Sequence, residues 1–234
     1  MDSLALLDVS RRHPARELRV DHEHEPLVLR PTRMTDAEQI ASLVNQSLPE
    51  LKRFMPWAHA PQTALGQLER LRGGEAAYNA GTDLTMALFR QRDGAMLTMV
   101  GLHGRVPLNP NGLEVGYWTP TPHAGRGWAS FATKVALVYA FDKLGADRVQ
   151  VMCDDSNDRS RSVIEKCGFR LEGVLFNVTA APSKELSEAG YQSTGKNPMF
   201  AHVPESFAAQ PWVSDLRSRI SYVNLAGHVL PGSR

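Results

Sequence analysis

Gly116-Tyr117-Trp118-Thr119-Pro120, Gly125-Arg126-Gly127-Trp128-Ala129 and Asn157-x-x-Ser160-x-x-Val163-x-Glu165-Lys166-x-Gly168-Phe169 are the stretches whose reading decides the fold. The first is a strand stopped by a proline. The second is a glycine-rich turn that opens a helix, and the third starts a further helix with Asn157 and Ser160 three residues apart. In the first turn of a helix the backbone N–H groups have no intrahelical acceptor, and the positive end of the helix dipole lies there. Gly125 and Gly127 allow such amides, those of Trp128, Ala129 and Ser130 among them, to approach an anion closely, and Arg126 can add a charge-assisted contact. A tight strand-to-helix turn without a ligand reads the same way, so the surrounding elements have to decide.

Working outward, Leu27-Val28-Leu29-Arg30-Pro31 reads as the first strand, and residues 1–25 as a polar, irregular extension carrying Arg11-Arg12-His13-Pro14 and His22-Glu23-His24. Thr35 and Glu38 have capping-box spacing ahead of Ile40, Leu43, Val44, Ser47, Leu48 and Leu51, which recur as one face of a helix. A second helix is expected over Thr63 to Ala80, bent at Gly73-Gly74, where each glycine costs about 1 kcal/mol relative to alanine. Leu84, Met86 and Leu88 alternate with their neighbours, Asp93-Gly94 signals a hairpin turn, and Met96 to Val106 returns. Leu113 to Thr119 then makes a strand, Gly125 to Leu144 a helix ended by Gly145, Val149 to Cys153 a buried strand, and Ser156 to Cys167 a helix closed by Gly168. Strands are expected at Gly173 to Thr179 and Met199 to Val203, around a polar insertion from Pro182 to Asn197. The segment 206–234 holds Trp212, Leu216, Ile220, Tyr222, Val223 and Leu225, too apolar for a free tail, and is expected to pack on the domain or across a dimer.

Composition narrows the function. A chain of 234 residues suits one domain, here expected over 26–205. With 26 Lys and Arg against 25 Asp and Glu there is no global positive field, which argues against nucleic acid or an anionic membrane as partner. No apolar run approaches the roughly 20 residues of a membrane span, and Met1 to Asp8 lacks the basic start of a signal peptide, so a cytoplasmic protein is expected. Cys153 and Cys167 both fall in regular structure, where a reduced buried thiol is usual, and no disulfide is expected. No Gly-x-Gly-x-x-Gly with a downstream acidic partner and no Gly-Lys-Ser/Thr occurs, which sets aside dinucleotide binding and triphosphate hydrolysis. His22 and His24 have no accompanying ligand cluster, so no metal site is expected.

Leu27 to Pro31, Met55-Pro56-Trp57, Glu114-Val115-Gly116-Tyr117-Trp118, the glycine turn and Asn157 to Phe169 together carry a resemblance. Residues 27 to about 205 resemble the GNAT N-acetyltransferase superfamily, in its ribosomal-protein N-terminal acetyltransferase (RimJ/RimL-like) branch. The resemblance implies an α/β (α+β) fold, a mixed and mostly antiparallel sheet whose two central strands splay apart, flanked by helices. It implies acetyl-CoA as cosubstrate, a primary amine as acceptor, and a homodimer. The family's cofactor loop reads Arg/Gln-x-x-Gly-x-Gly/Ala; Gly127 and Ala129 match, whereas Ala124 replaces the polar first residue. The pantetheine arm would lie along the backbone of Tyr117, Trp118 and Thr119 as an added strand, and the diphosphate would sit on Gly125 to Ser130. Asn157 matches the family residue that holds pantetheine, and Ser160 a position near the thioester sulfur; the alternative for both is helix capping at about Ser156 or Asn157. Ile164 stands where many relatives place a tyrosine general acid, which leaves Ser160 to stabilise the leaving thiolate.

Glu114, Gly116 and Trp118 alternate and so share a sheet face, where the Glu114 carboxylate could take a proton from an attacking amine, or could be a plain surface or ion-paired group. His59, His103 and His123 are alternative bases. The expected acceptor is a protein or peptide α-amine, with a small amine or antibiotic, or a non-catalytic acyl-CoA-binding module, as alternatives.

Overall fold

The computed structural model describes residues 15–22, 25–104, 106–107, 109–178, 182–224 and 228–231. The expectations placed on residues 1–14, 23–24, 179 and 225 lie outside them. The described elements run β1 (Glu17–His22), β2 (Glu25–Pro31), α1 (Ala37–Leu51), α2 (Ala64–Asn79), β3 (Asp83–Arg90), β4 (Met96–His103) and β5 (Gly112–Trp118). They continue with α3 (Trp128–Asp142), β6 (Arg148–Met152), α4 (Asp158–Cys167), β7 (Arg170–Phe176), α5 (Lys184–Glu188), β8 (Lys196–His202), α6 (Pro204–Ala208), α7 (Val213–Ser218), β9 (Ile220–Val223) and β10 (Val229–Pro231). The strands form a sheet in the order β10-β9-β1-β2-β3-β4-β5-β6-β8-β7. Antiparallel pairing prevails, and β5 with β6 is the parallel pair.

Alternation along the strands divides the core in two. Leu84, Met86 and Leu88 of β3, Val100 and Leu102 of β4, and Leu113 and Val115 of β5 pack under α3 with α4 at its side. Ala87, Phe89, Met99 and Trp118 point the other way, onto Ile40 and Val44 of α1 and Leu71 of α2. Helix α3 is buried on nearly every side from Ala132 to Ala140, so it reads as apolar rather than amphipathic.

Several local expectations need correction. The polar segment before residue 26 contains β1, whose Leu18 and Val20 are fully buried between β2 and β9. Ala15 is fixed there by two phenols: Tyr78 donates to its carbonyl at 2.7 Å, and its N–H donates to Tyr139 at 2.7 Å. Helix α1 is not opened by Thr35 and Glu38. A short 3-10 turn at Met34–Asp36 precedes it, and the Asp36 carboxylate accepts from the Arg33 N–H at 2.7 Å while forming a two-pronged pair with Arg30. That carboxyl titrates below its usual range: burial works against this, but Arg30 and the Arg33 amide outweigh it. Helix α2 runs through Gly73 and Gly74 unbroken. Glycine also delays α3, which starts at Trp128 rather than Gly125 because Gly125 and Gly127 both take positive φ.

The segment after Pro204 packs on the sheet and on α3. Phe207 stacks on Phe141 with ring centroids 4.5 Å apart, and β9 covers the outer edge of β1. The 182–197 insertion contains α5 and is tied down within its later half. The Gln192 N–H donates to the Arg53 carbonyl at 2.7 Å, and the Thr194 N–H donates to Asp154 at 2.8 Å.

Candidate active site

Strand β5 loses a neighbour halfway along. It pairs with β6 at Gly112, Leu113 and Glu114, opposite Arg148, Val149 and Gln150, and then the two strands part. On its other edge β5 stays paired with β4 from Glu114 to Trp118, while β6 stays paired with β8 up to Met152. Val115 to Trp118 therefore border a gap, and a cavity of about 640 Å³ occupies it.

The turn after β5 is anchored before it reaches the helix. Thr98, fully buried, donates its hydroxyl to the Trp118 carbonyl at 2.9 Å and lies 2.8 Å from the Thr119 hydroxyl. The Thr121 N–H donates to Ser47 of α1 at 2.9 Å, and its hydroxyl donates to Glu50 at 3.0 Å. From there Gly125 (φ +75°) and Gly127 (φ +82°) turn the chain into α3, whose first residues Trp128, Ala129 and Ser130 line the cavity. A Cβ on either glycine would meet nothing within 4 Å, so the space above the backbone is open, as an anion seat requires.

Across the gap, α4 supplies the second wall. Asn157 is its N-cap and accepts from the Ser160 N–H at 3.1 Å, so the capping role and the place in the cavity coincide. The Ser160 hydroxyl lies 2.9 Å from the Tyr117 hydroxyl. Burial pushes the Tyr117 phenol well above its ordinary pKa, against the pull of Ser160, so it remains an O–H group.

Tyr117, Trp118, Thr119, Gly125, Gly127, Trp128, Ala129, Ser130, Asn157 and Ser160 thus all line one cavity. Arg126 is exposed and does not line it. Glu114 lies at the paired end of β5, on the same face as Trp118, with its carboxylate accepting from Gln150 at 3.1 Å. Of the alternative bases, His59 is exposed and engages the Pro56 carbonyl, and His123 lines the cavity mouth. Burial and the nearby Arg126 lower the His123 pKa. His103 stands elsewhere, paired with Asp83. Cys153 is buried and its thiol is pushed up by burial, which disfavours a nucleophilic thiolate.

The segment joining α1 to α2 was absent from the sequence-derived site. Arg53, Phe54 and Met55 close the cavity from above, and Arg159 and Lys166 add positive charge from α4. Met55 and Lys166 fall within stretches already singled out, Met55-Pro56-Trp57 and Asn157 to Phe169, and that was the signal available for them. Among the described residues, no three His, Cys, Asp or Glu side chains are grouped as metal ligands would be.

A mixed sheet with a parted parallel pair, and an amide turn at the mouth of the gap, define the N-acyltransferase class of fold. Comparison with known proteins gives the family: the model described as acetyltransferase (GNAT) domain matches residues 26–170, and the chain belongs to that family. It is a GNAT acetyltransferase. YdaF of Bacillus subtilis (strain 168), provisionally named a ribosomal N-acetyltransferase, is 28% identical over 151 residues, covering 64% of this chain and 81% of the relative. The ribosomal-protein-serine acetyltransferase of Escherichia coli (strain K12) is 24% identical over 152 residues, 64% of this chain and 83% of that one. Among solved structures, Mycobacterium smegmatis RimJ in complex with CoA-disulfide superposes with a TM-score of 0.68 at 21% identity, covering 88% of this chain and 95% of the other. RimL, the ribosomal L7/L12 α-N-protein acetyltransferase, in complex with coenzyme A, gives 0.67 at 16% identity, with 80% and 99% covered.

Proposed function

We propose that the protein transfers an acetyl group from acetyl-CoA to a primary amine, with a protein or peptide N-terminal α-amine as acceptor, by direct attack within a ternary complex. The observation that carries this is the parting of β5 from β6 after Glu114 and Gln150, with open amides at the mouth of the gap. The residues fit the cosubstrate. The amides of Trp128 to Ser130 would take the diphosphate, with Arg126 adding charge from the rim, and the free edge of Tyr117 to Thr119 would take the pantetheine amides. When bound, the thioester supplies the electrophilic carbonyl and a thiolate leaving group.

The chain's own groups then divide the work. Ser160, hydrogen-bonded to Tyr117, donates toward the leaving sulfur. Backbone N–H groups of β5 at the gap stabilise the charge that develops on the carbonyl oxygen. The polar groups on the Trp118 face, Glu114 among them, receive the proton of the amine. An α-amine with pKa near 8 costs about 1.4 kcal/mol to deprotonate at pH 7, against about 4.6 kcal/mol for a lysine amine near 10.4. The ribosomal-protein acetyltransferases among the relatives support the same acceptor. Such an acceptor would place the enzyme in the cytoplasm. A homodimer belongs to this reading too, supported by Leu171, Val174 and Phe176 exposed on the outer strand β7.

Calorimetry with acetyl-CoA, CoA, NAD and ATP, followed by thiol release over a panel of N-terminal peptides and small amines, tests the proposal. Selective binding of the CoA compounds and turnover with peptides are expected. Turnover with small amines alone would move the acceptor class, and no heat with acetyl-CoA would end the reading.

A further inference from the structure

On the sheet face beneath α1 and α2, Asp83, His103, Thr85, Met99 and Trp118 line the floor of a second cavity, of about 330 Å³, and belong to three registered rows. The first row crosses four strands as Asp83, His103, Glu114 and Gln150. The next is Thr85, Gly101 and Gly116, and the third is Ala87, Met99 and Trp118. Trp118 lines both this cavity and the one between β5 and β6.

His103 reaches out of its own row. Its Nδ1 is 2.7 Å from an Asp83 carboxylate oxygen, and its Nε2 lies over the second row: a Cβ at Gly101 would stand 2.5 Å from Nε2, and one at Gly116 3.5 Å. The ring fills the slot that two missing side chains leave, which is why glycine is required at Gly101. A carboxylate only accepts, so in the neutral ring Nδ1 carries the proton and Nε2 keeps its lone pair. Among the described residues Nε2 has no hydrogen-bond partner. Glu114, by contrast, is already engaged by Gln150 one row farther from Trp118. Above the floor, α2 contributes Arg70 and the Gly73-Gly74 pair, where an added Cβ would meet nothing within 4 Å. The two glycines that weaken the helix are thus the ones that keep the mouth of this cavity wide.

We propose that the second cavity seats the amine acceptor and that His103, oriented by Asp83, takes the proton from the attacking nitrogen. The proposal rests on the acetyltransferase reading above. The amine lone pair forms the new C–N bond as the C–S electrons leave on sulfur; His103 Nε2 receives the nitrogen's proton, and CoA departs as the thiolate, hydrogen-bonded by the Ser160 hydroxyl. Among the described residues, the charged groups around His103 are Asp83 from β3, Glu114 from β5 and Arg70 from α2.

The test uses the full chain with N-terminal peptides as acceptors. H103Q is expected to lower kcat by about 10²-fold and to remove the acidic limb of the kcat/KM profile, with calorimetric CoA binding unchanged. D83N, which frees the tautomer, should fall between H103Q and wild type. Nitrogen-15 spectra of the wild-type histidines, assigned by comparison with H103Q, should show the His103 ring protonated at Nδ1 and shifting when peptide is added to the CoA complex. G74L, placed where the helix has open space, is expected to fold and to raise the KM for peptide by about 10-fold or more without altering CoA binding. Wild-type kinetics and pH profile in both H103Q and G74L would overturn the proposal while leaving acetyl transfer in place. A wild-type protein that binds acetyl-CoA but releases no thiol with any amine would overturn the underlying reading, and this proposal with it.

Discussion

The Tyr117 hydroxyl stands 2.9 Å from the Ser160 hydroxyl and 3.1 Å from the Ser160 carbonyl, bridging the strand that loses its partner to the helix on the far side of the gap. Ile164 of α4 is fully buried, whereas the Tyr117 phenol of β5 lines the gap. Ser160→Ala is expected to lower kcat by about 10²-fold, the low end of general-acid effects, and Tyr117→Phe by less, with CoA affinity retained. The double variant should be no slower than Ser160→Ala, because the phenol acts through the serine. Steady-state thiol release checks this; additive losses would separate the two groups.

Gly127 holds φ at +82° where α3 begins. Alanine there costs about 1–2 kcal/mol in the left-handed region and puts a methyl group into the open space over the amides. Gly127→Ala is expected to weaken CoA binding by about 10-fold or more. Arg126→Ala, removing an exposed charge, should weaken it only a few-fold and lose that effect in high salt. Isothermal calorimetry at two salt concentrations distinguishes them.

Buried His202 has its two ring nitrogens 3.1 Å from the Ser206 hydroxyl and 3.2 Å from the Cys167 carbonyl. Burial lowers its pKa, Arg170 adds to this, and the Cys167 carbonyl opposes without prevailing. The unfolded chain gains a proton near pH 6.5 that the folded state does not yet accept. The stabilisation is therefore whole above about pH 6.5 and is lost as pH falls toward the folded pKa, by at most about 1.4 kcal/mol per pH unit. Urea midpoints between pH 7.5 and 5.5 should fall more steeply for wild type than for His202→Gln; parallel slopes would contradict the assignment.

Phe207 is 1% exposed and stacked on Phe141. Phe207→Ala is expected to cost about 3–5 kcal/mol, readable in thermal melts. Truncation before Pro204 also removes Ile220 to Val223 from the edge of β1 and should leave the protein insoluble. A soluble, active truncated form would show the tail to be an accessory.

Elements with local signals were legible in the sequence. The Asp93-Gly94 hairpin, the glycine turn before α3 and the cap of α4 are each specified within a few residues, whereas the parted strands were implied only by the family resemblance. Strand β1 was not legible, because two buried side chains in a polar stretch carry little pattern and its outer partner lies near the other end of the chain. The Asp83–His103 pair was hidden for another reason. A register shift between Leu88 and Phe89 decides which residues of β3 and β4 face each other, and a slip of one residue would send Asp83 to the opposite face.

Strand β1 is made long before the strand that closes its outer edge. About 200 further residues must be synthesised before Ile220 to Val223 arrive to cover it, which at about 5–20 residues per second takes some tens of seconds. Throughout that interval the hairpin of β1 and β2 offers an unzipped margin to any neighbouring nascent chain. A chaperone that binds nascent chains should therefore raise the yield of this protein more than any change to its catalytic gap.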